Sequence, residues 1–578
     1  MCINNYLQSF RTWLSKGSRA NWCLFVLFAM VLFIQNCMCH YFCHHSILVS
    51  SLWKAPLYFW SFYLPKISIA LLLASCVFFI KRKWWIIVIS VLLDVWFLTS
   101  VIYARIYEQV VDVYVILMAG NLRGFMSSIL AIIEWKDSLF LLLTAILVGV
   151  IVIMNANQQN VKVGICTLAV SIVVWMASVN LNWIRYEIFA KHDNFSYIAP
   201  IHCFLHPLDR STRLMIAGTA PHYDYSYLHL LVFDVYDLVT ISFQKAETPD
   251  FSEQDLATIH SLIGSEKMKM GNDYLILVVF ESLEDWVVRP EFTPNIYRLI
   301  NSNHSLRAHK ISKETMCGGS ADGQMIMNTG MLPISNDAVC FRYPFNVFPH
   351  YPKNRSVTLL PHPIDVWNQT CMSPAYGYDT TVVSSEELHF QNAASYIEKG
   401  YDMMQIITLT SHEPFGGTSD LSFSTEMPEL MAAYIKSVNC TDRYIGEMID
   451  SLESMGLLDS VTIAISGDHT IFHKERRDRF AQYCQKKGLD YGVENSYCPL
   501  VVYSPRLTEN VEIFDVAYQM DIFPTVIDIL GYRDYYWKGF GVNLLDSAAR
   551  HNRPITEQEA YRLSDLMIRS NYFEQYKP

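Results

Sequence analysis

Hydrophobic positions divide the chain into two parts with different patterns. Before about residue 185, apolar residues occur in long runs rather than in a short alternation with polar ones. A run of about 20 apolar residues is long enough to cross the hydrocarbon core of a bilayer as a helix. Five runs therefore predict five transmembrane helices, at residues 22–38, 57–80, 84–103, 139–154 and 163–183.

Some of these runs contain polar residues that complicate the pattern. Pro65 and Lys66 interrupt the second run, and Asp94 lies inside the third. An acidic residue within a span is a functional candidate, and pairing within the helix bundle is the alternative for Asp94. Residues 110–133 are apolar but broken by glycines, Asn121 and Arg123. We expect this stretch to lie as helices at the outer membrane interface; a sixth, broken span is the competing interpretation, and it would reverse the orientation.

The orientation follows from basic residues in the short flanks of the spans. They cluster before the first span and between the second and third, at Arg11, Lys16, Arg19, Lys81, Arg82 and Lys83. If the spans alternate in direction, both clusters face one side, and that side is predicted to be cytoplasmic. Five spans then place the second half of the chain outside the cytoplasm.

From about residue 266 the pattern changes to short apolar strands separated by helices. Strands are predicted at Tyr274–Phe280, 403–409, 461–465 and 499–503, with a long helix at 428–455. This alternation predicts an α/β domain with a parallel or mixed sheet, following the α-helical transmembrane bundle. We expect four regions: a membrane domain (1–185), a juxtamembrane connector (186–265), a catalytic domain (266–548) and a C-terminal helix (549–578).

The composition bears on two questions, whether the protein binds nucleic acid and whether its cysteines pair. The chain has 578 residues, 52% of them hydrophobic, and a net charge of -11 without a basic tract in its second half. Nucleic acid is therefore not an expected partner. Of the 14 cysteines, seven follow residue 166. Some of these seven are expected to pair in an oxidising exterior, although the sequence does not give the connectivity.

Candidate catalytic groups stand at the ends of three predicted strands and in one glycine-rich loop. Glu281, His412 and the pair Asp468-His469 each follow a strand closely, and Ser320 lies in the loop CGGSAD. Functional groups collect at the carboxyl ends of strands in such sheets. Two carboxylates, an imidazole and a hydroxyl suit one divalent cation, and the serine is a candidate nucleophile for attack on phosphorus or sulfur.

Each candidate also has a structural alternative. Glu281 could stabilise a helix N-terminus, as Glu284 and Asp285 are expected to do. Ser320 could be a helix N-cap, and Thr315 is a competing nucleophile. Asp468 could form an Asx turn, His412 could be a loop residue without a role, and His473 is expected to face solvent or to support the ligands.

Taken together, these motifs resemble one family over nearly the whole chain. The catalytic half resembles the lipoteichoic acid synthase and phosphoglycerol transferase branch of the sulfatase/alkaline phosphatase superfamily. The membrane half, with AGNLRGFMSSIL, is similar to that family's membrane domain. The matching catalytic motifs are VVFESLEDW, FTPNIYRLI, GGSADGQMIMNTGMLPI, ITLTSHEPF, TIAISGDHT, YCPLVVYSP, MDIFPTVIDILG and GFGVNLL.

The resemblance implies roles for individual positions. One divalent metal, with Mn²⁺ preferred over Mg²⁺ or Zn²⁺, would be held by Glu281, Ser320, Asp468 and His469. Ser320 stands where the family has a catalytic threonine, and His412 would bind the phosphoryl group. Trp367 and Asn368 resemble the start of a Trp-Asn-Arg donor-binding motif, whose third position here is Gln369. A neutral amide thus replaces a guanidinium that could clamp a phosphate.

The implied reaction is a double displacement. Ser320 takes the headgroup of a membrane phospholipid, diacylglycerol leaves, and a hydroxyl of an envelope glycan or glycolipid accepts the group. The implied location is a bacterial plasma membrane, with the catalytic domain on the extracytoplasmic or periplasmic side.

Other functions remain open at this point. A phosphoethanolamine transferase would share the metal ligands, but its first strand typically ends in Gly-Glu-Ser, whereas here Phe280 precedes Glu281. A sulfatase needs a formylglycine in a C/S-x-P/A-x-R context, which the residues after Ser320 do not match. A family hydrolase of phospho- or sulfo-esters would pass the group to water. A membrane scaffold or sensor with a degenerate domain is the non-enzymatic alternative.

Overall fold

The computed structural model forms two compact units, which are described separately. It describes residues 19–44, 56–107, 130, 132–153, 159–189, 227–232, 235, 251–266, 273–316, 318–334, 338–471, 474–487 and 496–575. The first unit comprises Met1–Val113 and Ile132–Ala246, and the second Tyr114–Ala131 and Glu247–Pro578. The interfacial stretch predicted at 110–133 and most of the predicted connector lie outside the described residues. Their placement, and the four-part division of the chain, stay predictions.

The first unit is built from apolar helices. They are α1 (Arg19–His44), α2 (Pro56–Ala74), α3 (Trp84–Tyr107), α4 (Ser138–Ile153) and α5 (Val161–Phe189). Among the described residues, four helices are long and apolar enough to cross a membrane: Ala20–Cys43, Trp84–Arg105, Trp135–Ile153 and Val161–Ser178. These correspond to four of the five predicted spans.

The fifth predicted span is not confirmed. Its helix, α2, has an apolar part, Phe62–Phe78, that is shorter than the other four and ends in a 3-10 turn. Pro65 lies inside this helix and cannot donate a backbone hydrogen bond. Lys66 is buried, and its ammonium donates to the Phe62 carbonyl at 3.2 Å. Both residues lie within this apolar part, where the carbonyl partner of Lys66 compensates for the burial of its charge.

Buried polar residues of the first unit pair with one another. The Gln35 amide donates to Asp94 Oδ1 at 2.7 Å, so the pairing predicted as one alternative for Asp94 is confirmed. The Arg105 guanidinium donates to both carboxylate oxygens of Asp137, at 2.7 and 2.8 Å. Each pair joins two helices or a helix and a turn that are distant in sequence, because a lone polar group in an apolar interior is costly.

The second unit contains a mixed eight-stranded sheet, as the strand-helix alternation predicted. The strands are β1 (Tyr274–Phe280), β2 (Ser305–Ser312), β3 (Ser356–Leu360), β4 (Thr380–Val383), β5 (Met403–Ile407), β6 (Val461–Gly467), β7 (Cys498–Tyr503) and β8 (Val511–Tyr518). Their order is β4-β3-β5-β1-β6-β7-β2-β8. Among these eight, β7 runs antiparallel to both of its neighbours, and the other pairs are parallel.

Helices cover both faces of this sheet. They are α6 (Glu253–Ser261), α7 (Pro294–Ile300), α8 (Ser320–Thr329), α9 (Val339–Arg342), α10 (Gln369–Ala375), α11 (Glu386–Gln391), α12 (Ala393–Glu398), α13 (Glu429–Ser454), α14 (Lys474–Lys487), α15 (Ile522–Ile529), α16 (Ser547–His551), α17 (Glu557–Ser570) and α18 (Tyr572–Gln575). On one face, α7, α12 and α13 share an apolar core with β1, β5 and β6. On the other face, α8 contacts β1 and α15. The central strands β1 and β6 are buried along nearly their whole length, as expected for strands of mostly apolar sequence that are covered on both faces.

The C-terminal helix α17 is part of this unit's packing. Thr556 caps it, accepting a hydrogen bond from the Glu559 amide, and it ends at Asn571 in a left-handed conformation. The Tyr561 hydroxyl donates to the Glu314 carbonyl at 2.6 Å, and Ser564 accepts from the Leu332 amide. The helix therefore supports the chain on both sides of α8.

The cysteines of the second unit that the structure describes are unpaired. Cys340, Cys371, Cys440, Cys484 and Cys498 are all free thiols, and four of them are buried. The expectation that some late cysteines pair is wrong for these five, because they lie on separate elements of the core. Cys203 and Cys317 lie outside the described residues.

We expect Asp442 to be important for the stability of the second unit. Its buried carboxylate accepts hydrogen bonds from the Ile296 amide at 2.8 Å and the Asn295 amide at 3.0 Å, where α7 begins. Asp442→Ala leaves these donors unpaired and should lower the free energy of unfolding by about 2 kcal/mol. Urea unfolding of the full chain in detergent, followed by near-ultraviolet circular dichroism, measures the change.

Asp450→Ala is the matched control on the same helix. Asp450 forms an exposed ion pair with Arg298, and its loss should cost less than about 0.5 kcal/mol. Equal effects of the two substitutions would contradict the proposed capping role of Asp442.

Candidate active site

The pairing of β1 with β6 brings two acidic residues to the same sheet edge. The strands are parallel and in register, with Phe280 opposite Gly467. Glu281 and Asp468 are the next residues of the two strands, and the Asp468 amide donates to the Phe280 carbonyl at 3.0 Å. Two carboxylates therefore lie side by side at the carboxyl edge, as the predicted strand ends implied.

His469 completes a compact group of candidate metal ligands. One ligand atom from each of Glu281, Asp468 and His469 lies within 4.8 Å of the others, and all three residues are buried. His469 Nε2 is 3.5 Å from Glu281 Oε1 and 3.5 Å from Asp468 Oδ2. Its Nδ1 lies 2.9 Å from the Thr470 carbonyl, which can only accept. The proton is thus fixed on Nδ1, and the Nε2 lone pair is directed at the carboxylates.

Ser320 joins this group from the first position of α8. Its Oγ lies 3.2 Å from Glu281 Oε2 and 3.0 Å from His469 Nε2. The preceding loop is held by Asp322, which accepts from the amides of Met316 and Gly318, both at 2.9 Å. A side chain at Gly318 would collide with the Asp322 carboxylate at 2.1 Å, so the loop requires glycine there. The structure thus brings together all four residues predicted as metal ligands.

Two carboxyl groups that are buried side by side are unfavourable when both are ionised. Burial and, secondly, the neighbouring Asp468 carboxylate raise the pKa of the Glu281 carboxyl to about 8, although His469 acts in the opposite direction. A divalent cation would remove this repulsion. Two carboxylates, a correctly oriented imidazole and a hydroxyl are a donor set that fits Mn²⁺, Mg²⁺ or Zn²⁺.

His412 lies in the loop that follows β5. Its Nδ1 lies 2.6 Å from the Glu413 carbonyl, so the proton is again held on Nδ1. Burial lowers the pKa of His412 to about 4, although the Asp468 charge opposes this shift. The imidazole is therefore neutral at physiological pH, and the Asp468 charge acts directly on it.

His362 is a residue that the sequence analysis missed. It lies after β3, and burial lowers the pKa of its imidazole, with the charge of His412 acting in the same direction. Its Nδ1 lies 3.0 Å from the Pro363 carbonyl. Because β3 itself was not predicted, nothing in the sequence marked His362 as a residue at a strand end.

The turn with Trp367 and Asn368 has an unusual backbone. Both residues have φ of 50°, a conformation in which a tryptophan is rare. The Asn368 amide donates to the Cys340 carbonyl at 2.8 Å. The Gln369 amide donates to Gln324 Oε1 at 2.6 Å, and Gln324 donates in return at 3.3 Å. Gln369 is therefore buried against α8, where Ser373 also bonds to it.

Glu284 and Asp285 stand at the start of a 3-10 turn, Asp285–Val287, but no side-chain cap bond forms there, and their carboxylates bond to other elements instead of stabilising a helix N-terminus. Glu284 accepts from the Ile471 amide at 3.0 Å and from the Trp286 indole at 2.6 Å, and Asp285 forms an ion pair with Arg307. Thr315 Oγ1 is buried without a hydrogen-bond partner among the described residues. His473 lies outside them.

Supporting residues that the sequence did not reveal hold Glu281 and the His412 loop. Thr408 Oγ1 accepts from the Glu281 amide at 2.8 Å, and the Ser411 hydroxyl donates to the Glu281 carbonyl at 2.6 Å. The buried Glu386 accepts from the amides of Leu409 and Thr410, at 2.6 and 2.8 Å. The Thr-Leu-Thr-Ser sequence after β5 was the available signal, since hydroxyl residues there can bond to the neighbouring strand end.

Comparison with known proteins covers both units. Residues 11–248 match the family model of the lipoteichoic acid synthase N-terminal domain, and residues 323–532 match that of the sulfatases. The lipoteichoic acid synthase of Staphylococcus saprophyticus is 22% identical over 450 residues, which cover 70% of this chain and 66% of that protein. The lipoteichoic acid synthase-like protein YvgJ of Bacillus subtilis is 22% identical over 307 residues, covering 47% of this chain and 49% of its own length.

A solved structure is also similar. The crystal structure of the lipoteichoic acid synthase LtaP from Listeria monocytogenes has a TM-score of 0.43 and 19% sequence identity, covering 50% of this chain and 81% of that one. The matched segments thus span about two thirds and one half of the lengths of the two curated relatives.

Metal binding should release a proton at neutral pH. Because the Glu281 pKa is about 8 in the metal-free protein, Mn²⁺ must displace the proton of this carboxyl below that pH. The Kd for Mn²⁺ should fall by about tenfold per pH unit between pH 6 and 7 and level off above about 8. Titration in weakly buffered solution, with a pH indicator, measures the released proton.

Glu281→Gln tests the assignment of this proton. The amide cannot ionise, so the variant should bind Mn²⁺ weakly and without the pH dependence. Unchanged affinity or an unchanged proton release in the variant would refute Glu281 as the titrating ligand.

Proposed function

Since the chain is a lipoteichoic acid synthase-like member of the sulfatase/alkaline phosphatase superfamily, we propose that it is a phosphotransferase. It transfers a phosphoglycerol-type headgroup from a membrane phospholipid to a hydroxyl of an envelope glycan or glycolipid, through a phospho-Ser320 intermediate. The observation that carries this proposal is the position of Ser320 Oγ, 3.2 Å from Glu281 Oε2 and 3.0 Å from His469 Nε2. A nucleophile beside candidate metal ligands is the arrangement that phosphoryl transfer requires.

Glu281, Asp468, His469 and Ser320 would hold one divalent cation, Mn²⁺ being our first choice and Mg²⁺ or Zn²⁺ the alternatives. When bound, the ion supplies positive charge that favours the serine alkoxide and the negative charge that develops on the phosphoryl group. Ser320 also begins α8, a ten-residue helix. The positive end of that helix dipole favours the same charges.

In the first displacement, Ser320 Oγ attacks the phosphorus of the headgroup phosphodiester. The bond between Oγ and phosphorus forms, and the bond between phosphorus and the diacylglycerol oxygen breaks. The serine proton leaves along its existing contact with the Glu281 carboxylate and passes to solvent, and the departing diacylglycerol oxygen takes up a proton from solvent. The group is then attached to the protein as a phosphodiester of Ser320.

In the second displacement, His412 acts as general base. Its Nδ1 proton is held by the Glu413 carbonyl, and its imidazole is neutral because its pKa is about 4. Nε2 therefore accepts the proton of the attacking acceptor hydroxyl. The new bond between that oxygen and phosphorus forms as the bond between Ser320 Oγ and phosphorus breaks. The resulting imidazolium donates a hydrogen bond to a phosphoryl oxygen and then returns its proton to solvent, while Ser320 Oγ takes up a proton from solvent.

In this proposal the headgroup of the phospholipid donor binds at the turn formed by Trp367, Asn368 and Gln369. The left-handed backbone at Trp367 and Asn368 is supported by the Asn368 contact with Cys340. Gln369 contributes no charge, and its amide bonds to Gln324 on the nucleophile helix. The headgroup is consequently held without a guanidinium at this position.

The proposed location is a bacterial plasma membrane. We propose that α2 crosses the bilayer together with the four longer apolar helices, which gives five spans and places the catalytic domain on the extracytoplasmic or periplasmic side. The phospholipid donor is then in the same membrane as the anchor. The boundaries at about residues 185, 265 and 548 separate the membrane domain, connector, catalytic domain and C-terminal helix.

Ser320→Ala should abolish headgroup transfer. With phospholipids of different headgroups in vesicles, the wild type should release diacylglycerol and carry a headgroup adduct on Ser320, detected by mass. Ser320→Thr keeps a hydroxyl at the same position and should retain activity within about tenfold of the wild type. Equal diacylglycerol release from Ser320→Ala and the wild type would refute this nucleophile.

Thr315→Val is the matched control, because Thr315 is the nearby hydroxyl residue that competes for the role. It should retain the adduct on Ser320 and the rate of release. Addition of a glycan or glycolipid acceptor separates transfer from hydrolysis: a transferase consumes the adduct faster with acceptor present, whereas a hydrolase is indifferent to it.

A further inference from the structure

A single buried glutamine joins the two segments that carry the nucleophile and a metal ligand. Gln519 lies in the 3-10 turn after β8 and is fully buried. Its Oε1 accepts a hydrogen bond from the Glu314 amide at 2.8 Å. Its Nε2 donates to the Asp468 carbonyl at 2.7 Å and to the Gly467 carbonyl at 3.1 Å.

These partners belong to elements that the sheet does not pair. Glu314 lies between the end of β2 and Ser320, on the segment that leads into the nucleophile loop. Gly467 and Asp468 are at the end of β6. In the strand order, β7 lies between β6 and β2, so no ladder hydrogen bond connects the two. The Gln519 carboxamide bridges this distance with three hydrogen bonds.

The nucleophile helix also contacts the Asp468 carbonyl directly. A side chain at Gly323, in the first turn of α8, would lie 2.3 Å from that oxygen. The backbone of α8 therefore packs against the same atom that Gln519 binds. On the opposite side, the Asp468 amide donates to Phe280, and Asp468 Oδ1 accepts from the Ser282 amide at 2.8 Å. The Asp468 backbone is thus fixed both to β1 and to α8.

The chemistry of the bridge requires a carboxamide. Its oxygen accepts from an amide while its nitrogen donates to two carbonyls, and no other side chain of this length does both. A carboxylate would direct an acceptor at two carbonyl oxygens, and a thioether would leave the buried partners unpaired. Either change removes hydrogen bonds from buried backbone groups. We expect the backbone at Asp468 to shift as a result.

From this geometry we propose that Gln519 is a positioning residue, which sets the separation between the Asp468 ligand and the Ser320 nucleophile. It acts through the backbone and does not touch the reacting atoms. This inference rests on the proposed function, because it assigns a role in assembling that site.

The test compares Gln519→Met with Gln405→Met in the full chain in detergent. Gln405 is an equally buried glutamine of β5 that accepts from Asn328, in the last turn of α8, at 2.6 Å and donates to Thr358 of β3 at 2.8 Å, so its bonds do not involve Asp468 or Glu314. Replacing a group that orients a metal ligand typically costs about 10–100-fold in metal affinity or activity. We therefore expect the Kd for Mn²⁺, from electron paramagnetic resonance of the free ion, to rise at least about tenfold in Gln519→Met only.

Turnover provides the second measurement. In Gln519→Met, kcat for diacylglycerol release should fall by about 10–100-fold, while KM for the phospholipid stays within about twofold. Gln405→Met should lower thermal stability by a similar amount but leave both metal affinity and kcat within about threefold of the wild type. Gly323→Ala should reproduce the Gln519→Met pattern, because it displaces the same carbonyl.

Three results would overturn the role of Gln519 or the proposed function. Equal effects of Gln519→Met and Gln405→Met on Mn²⁺ affinity would reduce Gln519 to a structural residue and overturn the proposal. If the wild type binds Mn²⁺ but releases no diacylglycerol, the proposed function fails, and the metal affinities alone decide the role of Gln519. If the wild type binds no divalent ion, the positioning role is refuted as well.

Discussion

The register between β1 and β6 is the constraint on which the rest of the catalytic unit depends. Both strands are buried and parallel, and the pairing of Phe280 with Gly467 puts Glu281 beside Asp468. A shift of one residue would turn one carboxylate toward the opposite face of the sheet. The hydrogen bonds around the two residues resist such a shift: Ser282 binds Asp468, and Thr408 and Ser411 hold the Glu281 backbone from β5. The repulsion between two buried carboxylates is tolerated because the fold fixes them from several sides.

Much of this arrangement could be predicted from sequence, for identifiable reasons. Strands such as β1 and β6 are continuous apolar runs, so their ends, and the acidic residues there, were easy to locate. β2 and β8 were not predicted, because they contain several polar residues, and two of these in β2, Arg307 and His309, find their partner Asp285 only in the folded protein. His362 was missed with β3. The contacts of Gln519 could not be foreseen either, since they join segments that the strand order keeps apart.

The first unit shows the limit of hydropathy as a guide. Among the described residues, four runs gave helices of spanning length, and the fifth predicted span is not confirmed. Similarly, Asp94 was ambiguous in sequence, and only the Gln35 contact identifies its partner. Pairing of this kind depends on which helices are neighbours, which no local pattern contains.

The contact between α17 and the segment before Ser320 has a consequence for biosynthesis. Tyr561 lies 247 residues downstream of the Glu314 carbonyl that it binds, so a ribosome must add all of those residues before the contact can form. Until then the nascent nucleophile segment lacks this support, and unfinished chains cannot settle into the mature arrangement. Vectorial synthesis thereby postpones completion of the segment before Ser320 until the polypeptide carries the helix that contacts it.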